Sequence, residues 1–227
     1  MRGPRGRLER GAPVEWAREG GVVRIPTLAE ARPLMEEAER RNPGPWVAHS
    51  AHTAAAARAI AGRCEGLDPE AAYILGYLHD IGRREVVTDM RHVIDGHRYL
   101  AGLGYDDAAR VCLTHSFPIR DADAVAGVWD CTPEELSAAR GALREAEYTE
   151  YDRLIQLCDC LALPFGYCLV EKRLVHVALR RGVNEHTVAR WTAYLELQRA
   201  FEAVVGTSIY DLLPGAVATT FGVSLLP

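Results

Sequence analysis

Residues Ala71–Arg83 read AAYILGYLHDIGR, and the folding of this stretch organises the reading of everything around it. No charged side chain occurs from Ala71 to Leu78, and then His79 and Asp80 stand side by side, followed by Ile81 and Gly82. Asp68 precedes the run as an N-cap and Pro69 takes the first helical position, so a helix is expected from there to a stop at Gly82. An ionisable pair at the end of so apolar a helix is expected to be partly buried. A buried carboxylate is tolerated when it is paired, hydrogen-bonded or bound to a metal. The compensation for Asp80 must therefore come from elsewhere in the chain.

Outward from this stretch the chain reads as helices punctuated by Gly, Pro and Asp, without repeats or sustained period-two alternation. Thr27-Leu28-Ala29-Glu30 has the form of a capping box opening a helix toward Arg41, which Pro33 is expected to delay or kink. Asn42-Pro43-Gly44-Pro45 breaks the chain, and an alanine-rich helix follows from Trp46 to about Cys64, carrying His49 and His52. Further helices are expected over Met90–Leu103, from an Asp106 or Asp107 cap through Leu113, and from the capping box Thr132-Pro133-Glu134-Glu135 to Glu147. A helix from Thr149 bears Asp159 and stops before Pro164. Two more span Val170–Arg181 and Glu185–Val205, and their Leu, Val and aromatic spacing suits covering the bundle or pairing in a homodimer. The fold class is all-α.

Composition sets limits on function. The chain has 227 residues, 48% hydrophobic and 25% charged, with a formal charge of −5, which gives no electrostatic case for nucleic-acid binding. Five arginines among Gly and Pro in Met1–Arg18 read as an extension rather than a nucleic-acid arm. No apolar run is long enough for a transmembrane helix or a secretory signal, so a cytoplasmic protein without membrane contact is expected. The six cysteines include no Cys-x-x-Cys pair and read as reduced thiols. Cys158 and Cys160 point apart on a helix, which argues against a zinc site between them.

Three further ionisable residues share the setting of His79 and Asp80. Asp159 is the lone carboxylate of Leu154–Leu163, His49 heads an apolar helix, and His115 ends another. One metal with nitrogen and oxygen ligands would compensate them together, and imidazole plus carboxylate suits Fe, Mn, Ni, Co or Zn. Each residue alone also has an ordinary reading: a core histidine, or a carboxylate capping a helix or pairing with an arginine.

His49-Ser50 opening an alanine-rich helix, then Leu78-His79-Asp80-Ile81-Gly82, then Leu157-Cys158-Asp159 before Leu161-Ala162, resembles the H…HD…D signature of the HD-domain metal-dependent phosphohydrolase superfamily, in its HDIG form. The resemblance covers about residues 46–163. It implies an HD-type helical bundle within a single domain over 27–213, between a flexible extension at 1–26 and a tail at 214–227, with additional C-terminal helices after the motif-bearing core. It also implies that His49, His79, Asp80 and Asp159 hold a divalent metal, Mg included in the range, with His79 and Asp80 in the catalytic role. Members with a second metal add histidines: His92, in an HxxxG element, and His115 are the matching positions, while Ser116 stands where that pattern has a second adjacent histidine and is a candidate substrate contact.

The chemistry so implied is hydrolysis of a phosphate ester of a small molecule, a nucleotide as the expected class, by metal-activated water. Asp80 is the candidate orienting carboxylate or base. Arg83, which stands where some nucleotidase members have a glutamate, is a candidate for holding substrate phosphate or for satisfying a helix C-terminus. Arg84, Arg91, Arg98 and Lys172 are weaker phosphate candidates. His52 is expected near the pocket as a substrate or supporting group, and His97, about 140° from His92 around the helix, as a partner of substrate or solvent. His176 and His186 read as structural or exposed. The alternatives are a di-iron oxygenase of the same fold and a non-catalytic HD-type regulatory module; the absence of a GYP element argues against a cyclic-dinucleotide phosphodiesterase.

Overall fold

The protein is described from a computed structural model, which covers residues 24–86 and 88–222. The expected basic extension lies outside the described residues, except for its inner end, as do the last residues of the tail. The described architecture is all-α: α1 (Leu28–Arg41), α2 (Pro45–Ala61), α3 (Pro69–Leu78), α4 (Arg91–Gly102), α5 (Asp106–Thr114), α6 (Pro133–Glu145), α7 (Glu150–Leu161), α8 (Val170–Arg181), α9 (Thr187–Val205) and α10 (Ala216–Phe221). Among the described residues no helix is long and apolar enough to cross a membrane.

Helix α7 is the axis of the bundle. Its Leu154, Ile155, Leu157, Cys158 and Leu161 are fully buried, and it packs against α2, α3, α5, α8 and α9. It is started by Thr149, whose hydroxyl accepts from Asp152 N while the Asp152 carboxylate accepts from Thr149 N. Asp152 is also fully buried and accepts hydrogen bonds from Thr114 Oγ1 at 2.6 Å and Arg110 Nε at 3.0 Å. One turn on, Gln156 Nε2 donates to Thr114 O at 3.0 Å and Phe117 O at 3.2 Å. These bonds tie the C-terminal end of α5 to α7 and so fix where His115 emerges.

Small residues let α3 lie close to α2. A Cβ at Gly76 would stand 2.9 Å from Ala54 Cα, and the fully buried Ala54 and Ala57, three apart and so on one side of α2, add little bulk. Helix α3 ends at Leu78 rather than at Gly82. His79 donates from Nδ1 to Gly76 O at 2.7 Å, taking a carbonyl the helix would otherwise use, and Asp80 sits at φ −103°, ψ 12°. That sparsely allowed region redirects the chain into a 3-10 turn over Ile81–Arg84. Gly82 is thus no helix stop. Its missing side chain lets α4 cross the turn, because a Cβ there would lie 2.0 Å from His92 O and 2.4 Å from Gly96 N.

Other boundaries also depart from the sequence reading. Helix α1 starts on time with its capping box formed and runs through Pro33, since Pro33 and Ala29, the residue whose carbonyl loses its donor, are both exposed. Asp106 and Asp107 do not cap α5. They bind Arg24 instead, which donates from its backbone N to Asp107 at 2.6 Å and from its guanidinium to Asp106 at 2.7 Å. Pro164 ends α7 in a short antiparallel hairpin, β1 (Ala162–Leu163) against β2 (Gly166–Tyr167). The hairpin turns the chain so that α8 returns toward the end of α7 that carries Asp159. The tail forms α10, whose Thr220 accepts from Leu169 N at 2.9 Å.

Candidate metal centre

Four elements deliver their polar ends to one place: the first turn of α2 (His49), the end of α3 (His79, Asp80), the start of α4 (His92) and the end of α5 (His115). Asp159, in the last turn of α7, completes the ring. His49 Nε2 lies 2.8 Å from Asp159 Oδ1, and His79 Nε2 lies 3.8 Å from that oxygen and 3.9 Å from Asp80 Oδ2. On the other side, His92 Nε2 and His115 Nε2 lie 3.1 and 3.6 Å from Asp80 Oδ1. Two candidate ligand sets result, His49–His79–Asp159 and His79–Asp80–His115, each with ligand atoms within 4.8 Å of one another. His79 belongs to both.

The local backbone decides which nitrogen each imidazole presents. His79, His92 and His115 each place Nδ1 on the carbonyl three residues earlier: Gly76 at 2.7 Å, Asp89 in a short contact, and Cys112 at 2.9 Å. A carbonyl oxygen only accepts, so a proton sits on Nδ1 and Nε2 is the atom that each ring turns inward. The Nε2 atoms of His92 and His115 then face each other at 3.4 Å beside Asp80 Oδ1. Two nitrogens so close favour a proton or a metal cation between them, and the Arg83 guanidinium stands 3.4 Å from His92 Nε2. His79 Nε2 and Asp80 Oδ1 are both buried without a hydrogen-bond partner, whereas buried polar atoms are normally satisfied. The donor set therefore fits a divalent cation held by imidazole and carboxylate, and the carbonyl bonds on Nδ1 are the supports that such ligands require.

The charges agree with this geometry. Burial opposes ionisation of Asp80, but Arg83, His79 and His92 outweigh it and hold its pKa well below the usual carboxylate range. Asp159 is likewise held low by His49 and His79 against the effect of burial. Burial disfavours the His79 imidazolium, yet Asp80 and Asp159 leave its pKa raised. His115, buried and next to His79, is pushed down to about 3, so it is a neutral imidazole at physiological pH.

The centre opens into a cleft of about 750 Å³ that also includes Ser116, Trp46, Phe165, Trp191 and Phe221. Arg83 lines it and donates from Nε to Asp80 Oδ2 at 2.7 Å. Its other nitrogens lie 3.5 Å from Thr88 O and 3.4 Å from His92 Nε2. With α3 ending at Leu78, Arg83 does not serve that helix C-terminus. Two predicted contributors lie elsewhere. His52 Nδ1 donates to Ala48 O at 2.9 Å and the ring packs edge-on against Tyr167. His97, half-buried beside Arg98, is on the side of α4 turned from the cleft.

Of the weaker phosphate candidates, Arg84 is buried against Glu37 and over the Tyr99 ring, while Arg91 and Arg98 both bind Glu135. Only Lys172 is in the cleft. It is accompanied there by Arg173, His176, Arg180 and Arg181, which the sequence reading missed. His176 is exposed, as expected, but on the cleft wall. The available signal was the basic spacing 172, 176, 180 on α8; nothing in the sequence says which face of α8 meets the site.

A family model described as HD domain matches residues 46–163, just over half of the chain. No curated protein and no solved structure matches the chain. The matched segment runs from Trp46, at the start of α2, through Leu163, in β1, and so contains every residue of the two ligand sets. The chain therefore belongs to the HD-domain superfamily, of metal-dependent hydrolase type.

Proposed function

We propose that this chain is a phosphohydrolase that removes a phosphoryl group from a small molecule, with a nucleotide as the class its cleft suits. The observation that carries the reading is the convergence of potential ligands: three imidazoles that turn Nε2 inward from a carbonyl-bound Nδ1, the buried Asp80 and the partly buried Asp159, all lining one cleft or its floor. Retaining such groups in a low-dielectric interior is costly, which is why they are read as a functional centre. When bound, a divalent cation supplies polarisation of a phosphoryl oxygen and acidification of water. His49, His79, Asp80 and Asp159 would hold it, with His92 and His115 available to a second ion beside Asp80.

The remaining work falls to the protein's own groups. Asp80 offers Oδ2 to Arg83 and turns Oδ1 toward His92 and His115. Its depressed pKa makes it an acceptor that orients the attacking water rather than a reservoir for a proton. Asp80 holds Arg83 through Nε, and the two terminal nitrogens make only long contacts, 3.5 Å to Thr88 O and 3.4 Å to His92 Nε2, so phosphoryl oxygens could take them through charge-assisted bonds. Trp46, Trp191 and Phe165 give the cleft an aromatic side suited to a nucleobase.

The test is metal content of protein purified without chelator, for the wild type and for Asp80→Ala and Asp159→Ala, followed by phosphate release from nucleotides and sugar phosphates. Metal in the wild type, its loss in both variants and metal-dependent phosphate release are expected. A wild type that binds no metal after anaerobic reconstitution with Mn or Fe would sink the reading. Oxygen consumption without phosphate release would favour the oxygenase alternative instead.

A further inference from the structure

Helix α8 lies beyond the segment matched by the family model, yet it forms a wall of the cleft. Lys172, Arg173, His176 and Arg180 fall within an arc of about 100° on this helix, at ~100° per residue. The other arginines near the centre are committed. Arg181 is paired with Asp89 at 2.6 Å, and buried Arg190 donates to Ala124 O at 2.7 Å. Among the described residues, no carboxylate lies within ion-pair distance of Lys172, Arg173 or Arg180. Asp80, Asp159 and Asp89, the acids of the cleft, already face His or Arg partners. Burial and the neighbouring Arg173 and Arg181 lower the Arg180 pKa; Asp89 opposes them and Arg83 adds to the repulsion. Arg173 and Arg181 thus act on Arg180 along one wall of the cleft, which Lys172 and His176 also line.

We propose that Lys172, Arg173 and Arg180 bind a second phosphoryl group of the substrate, so that the preferred substrates are small molecules carrying two phosphoryl groups, one at the metal centre and one on α8. Such a group brings about two negative charges and several acceptor oxygens, which arginine and lysine meet with charge-assisted bonds. A cleft lined by one sign of charge also draws such an anion inward. The proposal rests on the phosphohydrolase reading for its catalytic consequence, but the anion site can be measured without turnover.

The first arm compares matched pairs, adenosine 5′-monophosphate with adenosine 3′,5′-bisphosphate and glucose 1-phosphate with glucose 1,6-bisphosphate, on the metal-loaded full chain. Lys172→Gln/Arg180→Gln should raise KM for the bisphosphates at least tenfold while KM for the monophosphates and all kcat values stay within about twofold. An equal change for both members of each pair, or none, overturns the proposal. The second arm titrates inorganic pyrophosphate into the full chain in chelator by calorimetry. The wild type and a control, Arg63→Gln at an exposed position after α2, should bind alike and more weakly as salt rises, with the double variant at least tenfold weaker. Equal affinity in all three overturns the α8 site, whether or not any phosphorylated compound is hydrolysed. If no compound is hydrolysed but pyrophosphate binding depends on α8, the phosphohydrolase reading fails and the anion site stands.

Discussion

Replacing Gly82 by alanine tests how the metal centre is assembled. The added Cβ would meet His92 O at 2.0 Å and Gly96 N at 2.4 Å, both backbone atoms of α4, where ordinary contact begins at 3.4 Å. The closest pair must therefore part by about 1.4 Å, and a helical backbone gives way only by moving as a body. Behind Gly96, Cys112 Sγ on α5 already stands 3.2 Å from where a Cβ would be, so α4 has little room to retreat from the turn. Overpacking typically costs about 1–3 kcal/mol, and contacts between backbones place Gly82→Ala at or above the upper end of that range. With a urea m-value of about 2–3 kcal/mol/M, the unfolding midpoint falls by roughly 1 M.

The same displacement would carry His92 Nε2 away from Asp80 Oδ1, now 3.1 Å distant, and weaken the α4 side of the centre. The assay is urea unfolding followed by circular dichroism, with elemental analysis of metal in identically purified wild type and variant. Gly141→Ala is the control: Gly141 lies inside α6 with nothing within 4 Å of its missing Cβ, so it should stabilise by about 0.5–1 kcal/mol. A Gly82→Ala protein that matches the wild type in both midpoint and metal content would refute the packing of α4 on the turn.

The other expectations concern the ligand ring, its support and a surface cap. His79→Ala removes the imidazole common to both ligand sets and should take bound metal to background, while His52→Ala, whose ring is engaged with its own helix, should leave it within about twofold; metal retained by the first variant would count against the shared site. Asp152→Ala leaves Arg110 and Thr114 without their buried acceptor and should cost about 2–4 kcal/mol in urea unfolding, less than for a fully buried pair because Arg110 is partly exposed. A cost under 1 kcal/mol would mean that α5 is held by other means. The capping bonds to Thr132 and the bonds from Arg98 and Arg91 lower the Glu135 pKa to about 2 from 4.5. A group depressed in the folded state contributes stability above its unfolded pKa and loses it as pH falls from about 4.5 toward 2. Glu135→Gln should therefore be less stable than the wild type at pH 6 and lose less on acidification; parallel stability profiles would contradict this.

Much of the centre was legible in the amino-acid order because its signals are local. An apolar run ending in His79-Asp80, a solitary Asp159 in a buried helix and the capping residues Thr27, Asp68, Thr132 and Thr149 each report on a single helix and its burial. Their joining into one ligand set came from the family resemblance, since residues on separate helices share no local spacing. The inward orientation of three imidazoles was written only indirectly, as a bond from each Nδ1 to the carbonyl three residues back.

What the tertiary structure alone decided is where elements meet. Gly82 read as a helix stop because glycine often ends helices, but its role is to make room for α4, a contact the turn itself does not encode. Arg83 read equally as a dipole partner or a phosphate holder until α3 was seen to stop at Leu78 and the guanidinium to lie against Asp80. The basic stripe on α8 was visible as spacing, but a helical period says only that residues share a face, not which neighbour that face meets. The hairpin after Leu161 settles that by returning α8 toward the Asp159 end of α7. Periodicity determines faces; long-range packing determines what each face confronts, and in this chain the packing of α8 beside the candidate centre brings Lys172, Arg173, Arg180 and Arg181 to the cleft.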